Sequence, residues 1–371
     1  MDKLSVLVVD DAPADKRYLI ELVNATGVAV CEGTASTGLL ALEQLRKKRF
    51  DCVLLDVRMP ELTGVECLKR IKANLADMPV IMAGEAGGDS SDQIVAALQY
   101  GLFDFIVKPA TADRAREFEA LSTHLRLLFT QVQALHRSRM LSLREGAAAA
   151  EFAAAAARDS GVARRIHAQP FDLLLIASST GGPKALETII TKLPEHIQVP
   201  ILSVQHMPPL YTRTLADSLN GKSRIQVMEA VDGQPLQPGV MLIAPGGRHM
   251  RVKEKPGASS ALPRYCVVMD DGPAVNGVRP AADVLFESVA QTWPGAKVIT
   301  VVLTGMGSDG VNGLRQLKQR CDCSCMTQSR TPCVVYGMPR SVCDAGLSDE
   351  TVDLPDIAGR IVELVLGKKN G

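Results

Sequence analysis

The sequence predicts an α/β protein that contains two doubly wound domains joined by a linker. Short apolar runs alternate with amphipathic stretches along most of the chain, which is the pattern of buried parallel strands and their covering helices. A chain of 371 residues, 46% of them apolar, also exceeds the usual size of one domain. The alternation is interrupted once, near residues 127–168, and this interruption divides the chain.

The first predicted domain covers residues 1–126. Its buried parallel strands read, in order, "LSVLVV", "FDCVLL", "PVIMA" and "FDFIV". Residues 127–168 are rich in alanine and arginine and show no strand pattern, so they predict a partly helical linker. A last helix of the first domain followed by a flexible tether explains the same composition equally well.

The second predicted domain, residues 169–371, is larger and returns to the alternation of strands and helices. Its strands read "DLLLIA", "PILSVQ", "IQVME", "VMLIA", "YCVVM" and "KVITVVLT". These segments predict a mostly parallel α/β sheet.

The composition restricts the location and the partners of the protein. Lys plus Arg and Asp plus Glu number 41 each, and this zero net charge argues against a nucleic-acid partner. Nine scattered cysteines, an odd number, favour reduced thiols in the cytoplasm. The start, "MDKLSVLVVDD", is typical of a buried strand rather than a signal peptide. Apolar runs stay well below the roughly 18 residues of a membrane span, so no membrane insertion is expected.

Charged residues follow the predicted strands of the first domain. Asp10 and Asp11 follow the first strand, Asp56 ends "CVLLD" and Lys108 ends "FIVK". In a doubly wound sheet these strand ends converge on one crevice. Carboxylates brought together repel each other unless a hard cation such as Mg²⁺ binds them. The group predicts a carboxylate that accepts a phosphoryl group, although each aspartate alone is also a good helix N-cap.

Residues 1 to about 122 resemble a response-regulator receiver domain, through "VVDD", "LLDVRMPELTG" and "VKP". The resemblance implies a flavodoxin-like fold with a five-stranded parallel sheet, in which a histidine kinase phosphorylates Asp56 and Lys108 contacts the phosphoryl oxygens. It implies a Mg²⁺ site in the receiver domain formed by Asp10, Asp11, Asp56 and the carbonyl of Arg58. Phe105 matches the aromatic residue of the receiver switch.

One position departs from the receiver pattern. Receivers carry Ser or Thr at the end of the fourth strand, where the hydroxyl bonds the phosphoryl group. Here "PVIMAGEAGG" places Ala83 or Gly84 at that point. We therefore expect Asp56 to accept phosphate and the response to phosphorylation to be weaker.

The stretch "LLLIASSTGGPKALETI" places Ser179 between a strand and the start of a helix. Free N–H groups at a helix start stabilise a bound phosphate or a developing oxyanion. The Gly-Lys-Ser/Thr of a Walker loop is absent, and "ASSTG" is only a near match to the G-x-S-x-G elbow. A polar helix cap, a nucleophile and a phosphate site all remain open from this stretch alone.

A base and an acid lie at comparable strand ends. His206 ends the strand "ILSVQ" before "MPP", and Asp309 lies in the glycine-rich turn after "VITVVLT". A serine nucleophile needs a base, and the base needs an oriented tautomer. The order Ser, His, Asp differs from that of α/β-hydrolases. A structural histidine and an N-capping aspartate are the alternatives.

Residues 171 to about 365 resemble the catalytic domain of the CheB family of chemotaxis protein-glutamate methylesterases. The matching motifs are "SSTGGPKAL", "SVQHMPPLYTRTLADSLN", "IAPGGRHM", "VNGVRPAADVLFESVA", "VVLTGMGSDGVNGL" and "CVVYGMPRSV". The resemblance implies that Ser179 is the nucleophile, His206 the base and Asp309 the orienting acid. It places Thr180 and Met306 at the border of the site, with a main-chain N–H near Met306 for the oxyanion.

The resemblance implies a phosphorylation-regulated esterase that hydrolyses γ-glutamyl methyl esters to glutamate and methanol without a cofactor, and that also deamidates glutamine. Its expected partners are the cytoplasmic domains of methylated chemoreceptors and a histidine kinase of the CheA type. The receiver is expected to cover the substrate groove until Asp56 is phosphorylated. Two alternatives stay open: a second domain that only binds, and a hydrolase of another ester.

The segment "CDCSCMTQ" places three cysteines at alternate positions. On a strand Cys321, Cys323 and Cys325 would face one side and could hold a soft metal. No fourth ligand is evident, so reduced structural thiols are the main expectation.

Overall fold

The computed structural model describes residues 3–85, 89–145, 166–255, 264–331 and 333–367. The chain divides into two compact units, Met1–Gly161 and Val162–Gly371. No helix in the part of the chain that is described is long and apolar enough to cross a membrane.

The first unit contains one parallel sheet in the order β2-β1-β3-β4-β5. Its strands are β1 (Leu4–Val9), β2 (Ala29–Ala35), β3 (Cys52–Asp56), β4 (Val80–Glu85) and β5 (Asp104–Lys108). Its helices are α1 (Pro13–Ala25), α2 (Gly38–Lys47), α3 (Gly64–Asn74), α4 (Asp89–Gln99) and α5 (Arg114–Glu145). The five-stranded parallel sheet confirms the expected fold. The sequence pattern did not single out β2, an edge strand whose residues are only partly buried.

Helix α5 continues well beyond the predicted domain boundary at residue 126. Leu128, Phe129 and Val132 are buried, because this part of the helix packs on the first unit. The amide of Gln133 donates to the carbonyl of Val28 at 3.3 Å. The first part of the predicted linker is therefore a continuation of this helix, and residues 146–165 lie outside the described residues.

The second unit contains a seven-stranded sheet in the order β14-β13-β12-β6-β7-β9-β8, and all its paired strands are parallel. These strands are β6 (Leu173–Ser178), β7 (Ile201–Gln205), β8 (Gln226–Glu229), β9 (Val240–Ile243), β12 (Lys297–Val302), β13 (Asp322–Gln328) and β14 (Glu350–Val352). The helices are α6 (Gly182–Ile190), α7 (Tyr211–Asn220), α8 (Ala282–Thr292), α9 (Val311–Arg320), α10 (Met338–Asp344) and α11 (Leu354–Leu366).

A separate antiparallel pair, β10 (His249–Glu254) and β11 (Tyr265–Asp270), completes the second unit. The segment "YCVVM" is therefore a strand, as expected, but it lies outside the main sheet. A mostly parallel α/β domain is confirmed. Because β6 lies between β7 and β12, the carboxyl ends of these three strands meet at one edge.

Candidate active site and phosphoacceptor pocket

Ser179 follows β6 directly in a strand–turn–helix segment. Its main-chain N–H donates to the carbonyl of Thr304 at 3.0 Å, which fixes it to the segment after β12. Gly181 has a φ of +78°, and a Cβ at Gly182 would collide with the side-chain oxygen of Gln205. Gly181 is thus required by its positive φ, and Gly182 by the close approach of the Gln205 side chain.

His206 occupies the neighbouring position at the end of β7. Ser178 pairs with Gln205 in the parallel register, and the His206 N–H donates to the Ser178 carbonyl at 3.0 Å. The Gln205 amide donates to the carbonyls of Ser179 at 2.9 Å and His206 at 3.1 Å, while its oxygen accepts from the Ser178 hydroxyl at 2.7 Å. Gln205 therefore ties the two strand ends together.

Sequence reasoning missed Gln205 and Ser178. Their signal was present as two polar residues that end otherwise apolar strands, and both side chains are buried. A buried polar group requires a partner, so such a pair indicates a hydrogen-bonded junction between strand ends.

Asp309 contacts His206 directly. Its Oδ2 lies 2.8 Å from His206 Nε2 and also accepts from the N–H of Ala282 at 2.6 Å. Its Oδ1 accepts from the N–H groups of Asp283 and Gly310, each at 3.0 Å. Burial acts to raise the pKa of Asp309, but His206 and the backbone donors outweigh burial and hold that pKa below its usual range. The ionised carboxylate accepts Nε2–H, which leaves Nδ1 of His206 as the basic nitrogen.

The residues expected beside Ser179 lie close to it. Thr180 is buried, and its carbonyl accepts from the Thr304 hydroxyl at 2.9 Å. Met306 follows Gly305, where an added Cβ would lie 2.7 Å from the Cβ of Ser179. The backbone of this segment therefore passes directly beside the serine. The structure brings all five sequence-predicted residues of this unit to one edge, while their chemical roles stay predictions.

A second polar site lies in the first unit, in a cavity of about 220 Å³. Its walls include Asp10, Asp11, Asp15, Asp56, Arg58, Gly84, Ser90 and Lys108. The Lys108 ammonium lies 2.6 Å from Asp56 Oδ1, 2.9 Å from Asp15 Oδ2 and 3.3 Å from Asp10 Oδ2. One buried cation is therefore shared by three carboxylates at the carboxyl edge of the sheet.

Burial disfavours the charged forms of Asp10 and Asp56 in this cavity. It raises the pKa of Asp10 to about 6, with partial relief from Lys108 and a further increase from the Asp56 charge. Burial likewise raises the pKa of Asp56, although Lys108 and the Arg58 N–H oppose it. Burial acts to lower the pKa of Lys108, but its carboxylate partners raise it above its usual value. An additional cation would therefore be favourable here.

The donor chemistry of the cavity fits a hard divalent cation. Asp10, Asp11 and Asp56 provide carboxylate oxygens, the ligand type that Mg²⁺ prefers. Among the described residues, however, no three His, Cys, Asp or Glu side chains are already placed around one metal position. The Lys108 ammonium lies among these carboxylates instead. The main-chain N–H of Arg58 donates to Asp56 Oδ2 at 2.9 Å, and the Arg58 guanidinium pairs with Glu85.

Asp15 is a further carboxylate that sequence reasoning missed. Besides Lys108, it contacts the guanidinium of Arg114 at 2.6 Å. Its signal was an acidic residue in the first turn of the helix that follows Asp10 and Asp11.

Gly84, rather than Ala83, stands where the Ser or Thr hydroxyl of other receivers would face the cavity. Ala83 pairs with Asp56 in the sheet, whereas Gly84 lines the cavity. A Cβ at Gly84 would lie 2.8 Å from Cγ2 of Val57 and 2.9 Å from Cδ1 of Ile94, so these side chains occupy the place of a hydroxyl-bearing residue. Ser90, 2% exposed, lines the same cavity from α4. The cavity is thus built without a side chain at position 84.

The cysteine segment forms strand β13, but Cys321 precedes it as the residue after α9. Cys325 is fully buried, and burial raises the pKa of its thiol to about 12. Among the described residues, which include these cysteines, no three His, Cys, Asp or Glu side chains are grouped around one metal position. The segment is a structural strand, and a soft-metal site has no support here.

Comparison with known proteins finds two family models on the chain. The model described as CheB methylesterase matches residues 174–361, and the response regulator receiver domain matches residues 6–118. A protein-glutamate methylesterase/protein-glutamine glutaminase of Desulfotalea psychrophila is 36% identical over 98% of this chain and 99% of its own length. A protein of the same name from Geobacillus kaustophilus is 37% identical over 98% of this chain and 99% of its own length. The chain is also similar to the crystal structure of the Thermotoga maritima CheB methylesterase catalytic domain, with 37% identity and a TM-score of 0.49. The match covers 53% of this chain and 100% of that domain.

Proposed function

The chain belongs to the CheB methylesterase family and carries a receiver domain, and we infer from this that Ser179, His206 and Asp309 hydrolyse γ-glutamyl methyl esters under the control of Asp56. The protein is a protein-glutamate methylesterase/protein-glutamine glutaminase of chemotaxis with a response-regulator domain. The observation that carries the residue assignment is the 2.8 Å contact between His206 and Asp309 beside the strand end that bears Ser179.

The proposed reaction begins with proton transfer within this group of side chains. Asp309 holds the Nε2 proton of His206, and Nδ1 takes the proton of the Ser179 hydroxyl as its oxygen attacks the ester carbonyl. The tetrahedral intermediate collapses as His206 returns the proton to the departing methoxide, releasing methanol. Water, deprotonated by the same nitrogen, then cleaves the acyl-enzyme and regenerates Ser179. For a glutamine side chain the leaving group is ammonia.

Main-chain N–H groups are proposed to stabilise the oxyanion of the intermediate. Helix α6 begins at Gly182, just after Ser179, and its first N–H groups have no partners within the helix. The backbone near Met306 passes close to Ser179 and is the second candidate. Such donors typically contribute about 10²- to 10³-fold to the rate of acyl transfer.

In the receiver, we propose that Asp56 accepts a phosphoryl group from a histidine kinase of the CheA type. Lys108 is proposed to hold a phosphoryl oxygen, and its 2.6 Å contact with Asp56 supports this role. Asp10, Asp11, Asp56 and the Arg58 carbonyl are the proposed Mg²⁺ ligands. When bound, Mg²⁺ supplies positive charge that offsets the charge on the phosphoryl oxygens.

The proposed substrates are methylated glutamates in the cytoplasmic domains of chemoreceptors, which places the enzyme in the cytoplasm. Phosphorylation of Asp56 is proposed to raise the esterase rate by moving the receiver away from the substrate groove. The division into a receiver at 1–126, a linker at 127–168 and a catalytic domain at 169–371 is retained as the functional division, with α5 continuing through 145.

The test measures methanol release from methylated receptor membranes, with and without a small-molecule phosphodonor. We expect Ser179→Ala to reduce the rate by at least about 10³-fold. Ser203→Ala, on strand β7 of the same sheet, serves as the matched control and should keep the rate. Normal activity of Ser179→Ala would remove the serine from the mechanism. Hydrolysis of simple esters without methanol release from receptors would favour a different ester substrate.

A further inference from the structure

The second unit has two exposed large apolar side chains. Among its described residues, only Leu210 and Val231 are of this kind, with 56% and 62% of their surface exposed. A single exposed apolar residue is common on protein surfaces and needs no explanation by itself. These two residues, however, both follow strands of the parallel sheet at its carboxyl edge, where Ser179 and His206 also lie.

The chain that follows β7 crosses this edge towards β8. A Cβ at Gly246, in the turn after β9, would collide with the backbone of Pro208, so these two segments pack against each other. Thr212, in the first turn of α7, donates its hydroxyl to Glu229 Oε1 at 2.5 Å, and Glu229 is the last residue of β8. Leu210 lies between these two contacts in the chain and is therefore placed near the ends of β9 and β8.

The two apolar residues lie within reach of the candidate active site. Ser179 follows β6 and is partly exposed, and Val231 lies two residues beyond the end of β8. In the order β6-β7-β9-β8 these strands are three spacings apart, about 14 Å at about 4.8 Å per spacing. An extended segment of four or five residues, at about 3.3 Å per residue, spans this distance. A polypeptide whose ester group reaches Ser179 is thus long enough to cover Leu210 and Val231 as well.

The backbone at Leu210 is a second, independent observation. Its φ of +75° and ψ of −38° lie in a region that residues other than glycine adopt only at a cost in free energy. Burial returns little of this cost, because Leu210 is more than half exposed. A large apolar residue here is thus unfavourable for the fold both in conformation and in exposure. Strained residues of this kind cluster at active sites and ligand-binding surfaces.

We propose that Leu210 and Val231 form an apolar docking surface for the receptor segment that carries the methylated glutamate. The enzyme acts on an ester within a protein, so the residues that flank the ester must lie against the surface around Ser179. Leu210 and Val231 provide apolar area there, and the occupant assigned to them is an apolar part of that segment. The proposal rests on the proposed function, because it names the surface that binds the substrate of the same site.

The test measures kcat and KM for methanol release from methylated receptor membranes by the full-length enzyme. We expect Leu210→Gly, which suits the positive φ, to raise KM about 5- to 10-fold, because about half of the leucine is left to bury. Val231→Thr removes one apolar methyl group at nearly constant shape and should raise KM about fourfold. Neither residue belongs to the candidate catalytic group, so kcat should stay unchanged.

Two control variants should keep the wild-type KM. Leu210→Met retains the apolar area at the same position, and Leu40→Ser removes a similarly exposed leucine from the first unit. Val231→Thr changes neither the charge nor the size of an exposed side chain, so its KM decides the matter even if Leu210→Gly folds poorly. An unchanged KM for Val231→Thr and Leu210→Gly would overturn the proposal.

A binding measurement tests the same surface without turnover. Ser179→Ala keeps the surface, and its cosedimentation with methylated receptor membranes gives an apparent Kd. Adding Leu210→Gly and Val231→Thr to this variant should weaken binding about 20- to 40-fold, the product of the two single effects. Equal binding with and without the two changes would also overturn the proposal.

A contact with the receiver would give a different result. If the receiver covered these two side chains, the variants would raise the rate of the unphosphorylated enzyme and lower its activation by acetyl phosphate. That result would overturn the proposal, and so would a fall in kcat at constant KM, which would assign Leu210 to the geometry of His206. Failure of the proposed function is recognised separately, because Ser179→Ala would then still release methanol whatever the KM of the Leu210 and Val231 variants.

Discussion

The cavity around Asp56 lacks a hydroxyl at position 84, and we expect its restoration to strengthen activation by phosphorylation. The simple change Gly84→Ser meets an obstacle, since its Cβ would lie 2.8 Å from Val57 Cγ2 and 2.9 Å from Ile94 Cδ1. Both neighbours are buried, so they cannot move into solvent. The effective perturbation is therefore Gly84→Ser combined with Val57→Ala, which removes the closer methyl group.

The expected gain follows from the hydrogen bond that the serine would make. A hydrogen bond to a charged group contributes about 1.5–3 kcal/mol, and about 1.4 kcal/mol corresponds to a tenfold change in an equilibrium. The ratio of phosphorylated to unphosphorylated esterase rate should thus increase about 10- to 100-fold. Val57→Ala costs about 1–3 kcal/mol of stability, but this loss affects both phosphorylation states and largely cancels in the ratio.

The assay compares methanol release with and without acetyl phosphate for four proteins: wild type, Val57→Ala, Gly84→Ser and the double variant. The double variant should exceed Val57→Ala in activation ratio, and Gly84→Ser alone should gain less. Equal ratios for the double variant and Val57→Ala would refute the reasoning. A wild-type ratio already of several tens of fold would refute it too, and would point to the Ser90 hydroxyl in the same cavity. Ser90→Ala would then reduce that ratio.

Three further predictions concern the catalytic and receiver sites. Asp309→Asn should lower kcat about 10³- to 10⁴-fold. The NH₂ group of the new amide cannot accept a hydrogen bond, yet it must face either His206 Nε2 and the Ala282 N–H or the N–H groups on the other side. Full activity of this variant would identify another orienting acid. Residues 160–371 alone should form an active esterase, because Ser179, His206 and Asp309, the proposed catalytic residues, lie in one compact unit. A fragment that is folded by circular dichroism yet inactive, with or without added receiver, would contradict the division. Because burial raises the pKa of Asp10 from 3.8 to about 6, its ionisation should remove up to roughly 3 kcal/mol of receiver stability as the pH rises from about 4 to above 6. In EDTA, calorimetry should then show that Asp10→Asn raises the unfolding temperature more at about pH 7.5 than at about pH 4. An equal rise at both pH values would contradict the raised pKa of Asp10.

The sequence by itself determined the fold class and put the candidate residues of both sites at the ends of strands. Buried strands of parallel sheets are continuous apolar runs, so nine strands of the two parallel sheets could be recognised from local pattern, together with the antiparallel strand β11. The carboxyl ends of parallel strands meet at one edge of a sheet, so polar residues at those ends could be grouped sheet by sheet: Asp10 with Asp56 in the first unit, and Ser179 with His206 in the second. Strands β2, β10, β13 and β14 were not among them; β2, for example, is a half-exposed edge strand with a mixed pattern.

The tertiary structure alone decided how these residues are held. Gln205 ties strand ends that are 27 residues apart, and the Asp309 carboxylate reaches His206 across 103 positions of sequence. Asp283 joins this network only because α8 and α9 start side by side. Likewise, Asp15 meets Lys108 from 93 residues away, and α5 extends past residue 126 because its apolar residues find a surface on the first unit. Hydrogen bonds and burial of this kind depend on distances between chain segments, and a local pattern of residues does not encode those distances.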